Sequence, residues 1–479
     1  MKKLVALLLV LVMSVSLFAA CKGNEGAGTT APAGTNAPAG TTAPGTDDPA
    51  GTTAPAVVAD PVYIAENAKE LTGEITFYTA FAGANGTEAL IKEFNEYYPN
   101  VTVKFEVYKN SGEGNAALDT AMNQEGLVDV ILSFGVASTA KRWENGMLMD
   151  LTDKLSADNL DLVKEWGTDA YTYNDKVYAF PSGGLSVYVA INMDKWTAAG
   201  MGDLPTSWTW DEYLTACEKL TEKDASGNVT VHGGSDFNQI DYWTYAVRQS
   251  KGVNVFYNKD GMSDFDNPLF AKALQREIDA AKAGTWFGKA TYQADSARSR
   301  NEFLNGNNAT TVESILTRYI TSVEHSFKIA YAPYPTNEKG ETNYVGGSMP
   351  NSFVCVNSKT KYPEAAYAFA KFAATYGNKY MFAAGHATTW TGVNADEILE
   401  CVWGSKEEAA KWIDVDTFTK YVIANGEPAY SEDYIVAYAE IQSIVDEYTM
   451  YALNGEMTVE EALAEMKDLA DEAIEDAKK

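Results

Sequence analysis

The segment from residue 22 to residue 60 decides which part of this chain can fold. It contains little besides Gly, Ala, Thr, Pro, Asn and Asp, and a Thr-x-Ala-Pro unit starts at Thr29, Thr35, Thr41 and Thr52. Such a composition cannot bury enough apolar surface to offset the entropy of ordering the backbone, so we expect a disordered tether. The folded body must therefore lie in the roughly 410 residues that follow, which exceed one ordinary hydrophobic core and suit two lobes.

The residues before this segment have the pattern of a secretion signal. A lysine pair precedes an apolar run that ends at Phe18, and the small residues Ala19-Ala20 lead into Cys21. The run is marginal for spanning a bilayer, so we expect removal rather than a membrane helix. The Ala-Ala-Cys end resembles a bacterial lipobox, which implies a lipid on Cys21 and an anchor on the outer face of the cell membrane. Phe18 departs from the leucine usual at its position, and a plain signal peptide cut nearby is the alternative.

Composition excludes several classes of function. Acidic residues outnumber basic ones 66 to 37, a formal net charge of −29, which disfavours nucleic acid and anionic membrane surfaces as partners of the body. Hydrophobic residues make up 46% of the chain, as in globular proteins. We expect no cofactor and no metal, because Cys217, Cys355 and Cys401 lack the spacing of a zinc site or a disulfide framework. We expect these three cysteines to be buried.

The folded body opens with a strand, helix, strand pattern. Ile75–Tyr78 is predicted to be a strand, helical spacing follows from Leu90 to Tyr97, and Val101–Val107 alternates as a strand with one buried face. A second helical pattern precedes the apolar run Val128–Phe134, which is typical of a central strand. This alternation predicts an α/β lobe. Ligands of such sheets bind beyond the carboxyl ends of the strands, so the loops after Tyr78 and Leu132 are candidate walls of a site.

Local signals mark a hinge and two helix starts. Pro181 and Gly183-Gly184 interrupt two extended runs, so we predict a hinge at Gly183 and Gly184. Thr209 with Glu212, and Thr458 with Glu461, each form a capping box before a helical apolar pattern. The first box places Trp210 on the apolar face of a helix, where packing is the expected role.

Several segments in fixed order resemble one protein family. They are YAFPSGGLSVYVAIN, MDKW, AAG and LPTSWTWDEY in the middle of the chain, GLVDVILSFG and ENGMLMDLTD upstream, and FLNGNNATTVES, FKIAYAPYP and GGSMPNSFVCVNSK downstream. In this order they resemble extracellular solute-binding protein family 1, the sugar-binding lipoproteins of ABC importers related to maltose-binding protein. The resemblance spans roughly residues 72 to 475. It implies an α/β, two-lobed, periplasmic-binding-protein-like fold (type II), with discontinuous lobes joined by a hinge.

The resemblance also implies how the chain is divided. We predict a signal peptide at 1–20, a lipid-anchored tether at 21–70, an N-terminal lobe from 71–183 and 331–389, and a C-terminal lobe from 184–330 and 390–479. A clamp of this kind works because a solute that touches both lobes stabilises the closed form. The implied function is capture of an extracellular carbohydrate and its delivery to ABC permease subunits. A monomer that performs no catalysis is expected.

Aromatic residues are the main clue to the ligand. Sugar rings pack their C–H faces on aromatic rings, while carboxylates and amides bind the hydroxyls. Malto-oligosaccharide binders of the family have an aromatic residue where this chain has Ser133 and an acid near Leu185, which argues against maltodextrin. A packing or surface role is the alternative for each of the eight residues that we predict to contact the ligand: Phe81, Ser133, Phe134, Ser182, Asp236, Trp243, Glu313 and Trp390.

Other functions stay open at the level of sequence. A non-sugar solute such as a peptide or a polyamine would suit the same fold. A secreted glycoside hydrolase would need two carboxylates that face one bond, and none of the 66 acids stands in a distinctive motif. An esterase is disfavoured, because the chain has no Gly-x-Ser-x-Gly and has three histidines. An adhesive surface protein is compatible with the tether, but no motif favours it.

Overall fold

The structure is a computed structural model that describes residues 62–168, 172–173, 175–235, 241–287, 298–320, 322–423, 427–432 and 436–479. All of these belong to one compact unit, Val58–Lys479. The predicted signal peptide, Cys21 and most of the predicted tether lie outside the described residues. Within the described ranges, no helix combines the length and the apolar character that crossing a bilayer requires.

The strands are mostly short and belong to several small sheets. They are β1 (Gly73–Thr79), β2 (Val101–Val107), β3 (Val130–Phe134), β4 (Thr172–Tyr173), β5 (Lys176–Val177), β6 (Phe180–Pro181), β7 (Gly183–Leu185), β8 (Tyr188–Asn192), β9 (Glu222–Lys223), β10 (Val229–Val231), β11 (Thr310–Glu313), β12 (Ile329–Pro333), β13 (Met349–Pro350), β14 (Ser352–Val356) and β15 (Ala387–Thr388).

Helices cover both main sheets. They are α1 (Thr87–Tyr97), α2 (Gly112–Met122), α3 (Val136–Glu144), α4 (Thr152–Asp158), α5 (Leu162–Trp166), α6 (Met193–Ala198), α7 (Trp210–Leu220), α8 (Tyr245–Lys251), α9 (Pro268–Ala283), α10 (Arg298–Leu304), α11 (Thr317–Ile320), α12 (Pro363–Ala374), α13 (Ala395–Trp403), α14 (Lys406–Trp412), α15 (Val415–Phe418), α16 (Tyr438–Leu453) and α17 (Val459–Ala477). A 3-10 helix at Tyr376–Ala384 follows α12.

The first main sheet has five strands in the order β2-β1-β3-β14-β6. β1 is parallel to β2 and to β3, whereas β14 is antiparallel to β3 and to β6. All five residues of β3 are buried, which explains its continuous apolar sequence. The predicted strand, helix, strand unit is therefore confirmed, and the carboxyl ends of β1 and β3 lie at the same edge of the sheet.

The second main sheet has three strands in the order β11-β8-β12, all antiparallel. β8 is buried on both faces because its side chains alternate between two hydrophobic cores. Tyr188 and Ala190 belong to the core that also contains the five-stranded sheet, while Val189 and Ile191 belong to a second core. Since the first core extends from one main sheet to the other, it does not mark a lobe boundary. The boundaries at 183, 330 and 389 stay a prediction.

A small sheet, β13-β7-β15, contains the predicted hinge glycines. Gly184 pairs with Pro350 on one side and with Ala387 on the other. A Cβ atom on Gly184 would lie 2.2 Å from Ser348 Oγ, and one on Gly183 would lie 2.6 Å from Ser352 Oγ. A side chain on either glycine would therefore force its neighbours to shift. The role of the two glycines as a hinge stays a prediction.

The body begins earlier than the sequence predicted. Tyr63 donates a hydrogen bond to Glu165 Oε2 at 2.9 Å, and the backbone N–H of Ala65 donates one to Tyr98 Oη at 3.0 Å. Ile64 is buried in the first core. The tether was predicted to extend to residue 70, which is wrong for residues 62–70. Apolar side chains of this segment pack against the first core, and this packing cannot be predicted from the composition of the segment.

Both capping boxes are confirmed. The Thr209 side chain accepts a hydrogen bond from the backbone N–H of Glu212, and the Thr458 side chain accepts one from that of Glu461. In each box the glutamate side chain accepts a hydrogen bond from the backbone N–H of the threonine. Trp210 is buried on α7, and the guanidinium carbon of Arg276 lies 3.9 Å from its ring centroid. The predicted packing role of Trp210 is confirmed.

The cysteines are mostly as predicted. Cys217 and Cys355 are buried, and burial raises the pKa of each thiol to about 12, so neither carries a reactive thiolate at neutral pH. Cys401 is half-buried, which corrects the prediction for that residue. Among the described residues, no group of three or more His, Cys, Asp or Glu side chains is arranged to hold a metal ion.

Candidate ligand-binding cleft

The first cavity of the candidate site has a volume of about 750 Å³ and lies at the carboxyl ends of β1 and β3. Phe81 lines it from the loop after β1, and Phe134 lines it from the end of β3. Ser314 and Ile315, which follow β11, line it as well. The cavity thus lies between residues of the two main sheets, and the two loops have the position that the sequence predicted.

Three aromatic rings form one wall of the first cavity. The ring centroids of Phe81 and Phe134 are 5.4 Å apart, and their planes meet at 84°. The His386 ring lies 5.3 Å from Phe81 and 5.9 Å from Phe134. Burial lowers the pKa of His386 to about 4, with a further contribution from the positive charges of Arg318 and Arg300. His386 is therefore neutral near pH 7 and adds a polar, aromatic surface to the cavity.

A buried ion pair supports the facing wall. Arg300, which lines the cavity, places its Nε 2.6 Å from Oε1 of the fully buried Glu313. Glu313 Oε2 also accepts the backbone N–H groups of Ser314 at 3.0 Å and Ile315 at 3.3 Å. Burial raises the pKa of Glu313, while Arg300 opposes that shift. Glu313 lies behind the wall, where it positions Arg300 and the backbone after β11.

A second cavity of about 190 Å³ adjoins the first. Leu185 and Asn351 line both cavities. The walls of the second cavity include Arg248 on α8, Glu432, and three tyrosines, Tyr245, Tyr430 and Tyr438. This aromatic and charged group, the Arg248 cluster, comes from segments about 180 residues apart in the sequence.

The Arg248 cluster holds its guanidinium among ring faces. The Arg248 Cζ atom lies 4.9 Å from the Tyr245 ring centroid and 5.2 Å from that of Tyr430, within the range of cation–π attraction. Its Nη1 lies 3.6 Å from Glu432 Oε1, which also accepts hydrogen bonds from Tyr430 and, at 3.2 Å, from Tyr438. Burial opposes the charge of Arg248, but the surrounding tyrosines and Glu432 outweigh it and raise the pKa of Arg248.

A third cavity, of about 390 Å³, adjoins the second. Pro350, Tyr430 and Ser431 line both the second and the third cavity, and Trp166 and Glu427 line the third. The three cavities are linked by these shared lining residues and are together called the cleft below. The cleft offers aromatic faces, charged groups and amides, a set of groups typical of polar ligand sites.

Of the eight predicted ligand contacts, Phe81 and Phe134 line the cleft and Glu313 lies directly behind it. Ser133 is buried, accepts a hydrogen bond from Arg142 Nη1 at 2.6 Å, and lies 2.8 Å from Thr139 Oγ1. Asp236 lies outside the described residues.

Ser182 and the two predicted tryptophans are also buried. Asn378 Nδ2 donates to Ser182 Oγ at 3.3 Å and to the Ser182 carbonyl at 3.1 Å. Trp243 donates to Thr449 Oγ1 at 2.9 Å, and Trp390 donates to Glu165 Oε2 at 2.9 Å. These partners give each side chain a structural role, so ligand contact by Ser133, Ser182, Trp243 and Trp390 stays a prediction.

The sequence did not single out the charged residues of the cleft or its histidine. Arg248 and Arg300 stand in no motif, and Glu432 is one acid among 66. His386 precedes the predicted Trp390 by four residues, so attention to the whole GHATTWTG segment could have found it. For the others no local signal exists, because Arg248, Arg300 and Glu432 reach the cleft from segments that are distant in the sequence.

The comparison with known families decides the identity. Residues 81–380 match the family described as "Bacterial extracellular solute-binding protein". This chain belongs to that family. The matched range covers more than half of the solute-binding protein and includes the second main sheet and every strand of the first except β1. The resemblance predicted from the sequence is thereby confirmed, and the family description places its function in binding a solute outside the cell.

Solved structures have the same fold as this solute-binding protein. An ABC substrate-binding protein of Listeria monocytogenes in complex with cycloalternan is 20% identical, with a TM-score of 0.66 over 84% of this chain and 99% of that chain. The GacH receptor of Streptomyces glaucescens, studied unliganded and with acarbose, is 20% identical, with a TM-score of 0.63 over 85% and 99%. Maltose-bound MalE3 of T. maritima is 20% identical, with a TM-score of 0.62 over 83% and 98%. The predicted two-lobed α/β fold is confirmed. A comparison of the sequence with curated proteins gives no match.

Proposed function

We propose that this solute-binding protein captures a carbohydrate in the cleft and delivers it unchanged to the permease subunits of an ABC importer. The observation that carries the proposal is the composition of the cleft walls. The aromatic side chains of Phe81 and Phe134 line the first cavity, and the tyrosines, guanidinium and carboxylate of the Arg248 cluster line the second. Aromatic faces suit the C–H surfaces of sugar rings, while the charged groups and Asn351 suit their hydroxyls.

The relatives support the same class of ligand. The structures with cycloalternan, acarbose and maltose are sugar or sugar-like complexes of proteins with this fold. A peptide or a polyamine is the alternative solute. A polyamine is disfavoured in the first cavity, because the part of the chain that the structure describes lines it with Lys109, Arg300 and Arg318 and with no carboxylate.

The lobe boundaries of the proposal are those predicted from the sequence. Phe81 and Phe134 belong to the proposed N-terminal lobe of 71–183 and 331–389. Arg248, Arg300 and Tyr430 belong to the proposed C-terminal lobe of 184–330 and 390–479. A sugar that contacts both groups would favour a closed arrangement, with β7 at Gly183 and Gly184 as the proposed hinge.

The proposed location is the outer face of a bacterial cell membrane. A lipid on Cys21 would hold the protein there, and the segment up to residue 61 would act as its spacer. A monomer is proposed, with no nucleic-acid partner. Catalysis is not part of the proposal, because the family is defined by solute binding.

A thermal-shift screen of the purified protein against neutral and acidic sugars, peptides and polyamines tests the proposal. Binding to the folded state raises the midpoint of unfolding by mass action, so at least one saccharide is expected to raise it. Chromatography of the recovered sugar should show the starting compound. An Arg248→Met variant should lose the shift, while Arg276→Met, which also removes a guanidinium stacked on an aromatic ring, should keep it.

Two outcomes would contradict the proposal. A shift with a peptide or a polyamine and none with any saccharide would transfer the function to another solute class. A sugar recovered in cleaved form would indicate a hydrolase.

A further inference from the structure

The charge of the first cavity is opposite to that of the chain. Acidic residues outnumber basic ones 66 to 37 overall, yet the described residues that line the cavity include Lys109, Arg300 and Arg318 and no Asp or Glu. A surface drawn at random from this composition would carry more acids than bases. A positive cavity in an acidic protein is a local arrangement that attracts an anion.

Two of the three cations are available to a ligand. Arg300 is held by the buried Glu313, so this pair adds little net charge. The side chains of Lys109 and Arg318 are exposed, and neither forms an ion pair with a carboxylate among the residues that the structure describes. Lys109 follows β2 and Arg318 lies on α11, so these side chains reach the cavity from its two walls.

His386, which lines the first cavity, also experiences the positive charge there. The pKa of His386 is lowered first by burial and then by the positive charges of Arg318 and Arg300. Its Nδ1 atom has no hydrogen-bond partner among the described residues. A bound anion would offset the positive charges that His386 experiences and could accept a hydrogen bond from its ring.

The second cavity differs from the first in the balance of its charges. Arg248 lies near Glu432 and also 3.8 Å from Asp241 Oδ2, so the positive charge there is balanced by acids of the protein itself. Of these two cavities, as the described residues line them, the first therefore carries the unbalanced positive charge, beside the Phe81 and Phe134 rings. The combination matches a ring-shaped ligand that carries an acidic group.

We infer that the solute is an acidic saccharide, whose ring packs against Phe81 and Phe134 and whose oxyanion lies between Lys109 and Arg318. This inference rests on the proposed function and names the substrate class for the same site. A guanidinium binds a carboxylate through two parallel hydrogen bonds, and it binds a phosphate or sulfate ester in a similar way. All of these ligands carry an oxyanion on a sugar, and the experiment below distinguishes a carboxylate from an ester.

Isothermal titration of the purified protein at low salt compares matched sugars. Galacturonate and digalacturonate are titrated beside galactose and digalactose, and galactose 6-phosphate represents the ester. The acidic member of a pair is expected to bind at least tenfold more tightly than the neutral one, with affinity that falls as salt is added. Preference for the uronate identifies a carboxylate, and preference for the phosphate identifies an ester. Either preference supports the inference.

Variants locate the anion. Arg318→Gln and Lys109→Gln are each expected to weaken the acidic sugar about tenfold and to change the neutral sugar less than twofold. Lys406→Gln, which removes an exposed cation that does not line the cleft, should change neither. An unchanged unfolding midpoint in all three variants shows that the fold is intact.

The outcomes separate this inference from the proposed function. Binding of neutral sugars with equal or weaker binding of their acids would overturn the inference and leave carbohydrate capture standing. Tight binding of acidic sugars that is unaffected by Arg318→Gln and Lys109→Gln would overturn the placement of the oxyanion. Failure of every saccharide, neutral or acidic, would overturn both.

Discussion

The carboxylate of Glu313 and the guanidinium of Arg300 meet at 2.6 Å with side-chain exposures of 0% and 6%. This pair joins β11 to α10 directly behind the first cavity. Glu313 is not one of the residues that line the three cavities, and its predicted contact with the ligand stays a prediction. A buried pair of this kind is costly to break from one side, because the remaining charge loses its partner in a medium of low polarity.

Replacement of Glu313 by alanine is therefore expected to lower the free energy of unfolding by about 3 kcal/mol. Urea unfolding followed by tryptophan fluorescence measures the change. The control is Glu465→Ala, which removes an exposed carboxylate from α17 and should change the free energy by less than about 0.5 kcal/mol. Equal losses of unfolding free energy in the two variants would show that the ion pair of Glu313 with Arg300 stabilises the fold no more than an exposed carboxylate does.

The Phe81 and Phe134 rings are expected to contribute to affinity rather than to stability alone. Phe134→Leu keeps an apolar side chain but removes a ring face from the first cavity, so sugar binding should weaken about tenfold. Phe270→Leu is the matched control, because Phe270 packs against Trp243 in the second core, with ring centroids 5.8 Å apart. Titration calorimetry should show reduced affinity for the first variant and unchanged affinity for the second. Equal affinity of both variants would remove Phe134 from the site.

Gly184→Ala tests the close contact of β7 with its neighbours. The added Cβ would overlap Ser348 Oγ and lie 3.0 Å from the Met349 carbonyl, so the Ser348 side chain and the β13 backbone must shift. We expect a loss of about 1–3 kcal/mol in the free energy of unfolding. Small-angle scattering with and without sugar should also show a smaller ligand-induced change in radius of gyration.

Gly112→Ala provides the control for that substitution. A Cβ at Gly112 would meet no atom within 4 Å, so stability should be unchanged or slightly higher. If Gly184→Ala unfolds at the same urea concentration as Gly112→Ala and compacts normally with sugar, the tight packing at β7 and its proposed hinge role are both wrong.

The depressed pKa of His386 predicts a specific dependence of stability on pH. Its pKa is about 4 in the folded protein against an ordinary value of 6.5, so between these pH values the unfolded chain binds more protons at this position. Stability contributed by the neutral ring is then fully present above pH 6.5 and is lost as the pH falls toward 4. Wild type should therefore lose stability more steeply than His386→Asn between pH 6.5 and 4.5.

Urea unfolding at several pH values measures that difference between wild type and His386→Asn. Carboxylates titrate in both proteins, so their contribution cancels in the comparison. Parallel curves for the two proteins would mean that His386 titrates normally and is not held neutral beside Arg318 and Arg300.

Local patterns in the sequence determined much of this protein. The strand, helix, strand unit at β1, α1 and β2, both capping boxes and the packing role of Trp210 follow from periodicity and capping chemistry, which act over a few residues. The order of short segments along the whole chain was sufficient to indicate the family, which the comparison confirms.

Only the tertiary structure decided which polar groups meet. Arg248 and Glu432 are 184 positions apart, and Lys109 and Arg318 come from opposite walls of one cavity, so no short-range pattern links either pair. The structure also provided buried partners for Ser133, Trp243 and Trp390, which local context alone had made candidates for ligand contact. The physical reason is that helix and strand formation depend on near neighbours, whereas the charge and shape of a cleft depend on side chains that packing brings together from distant segments.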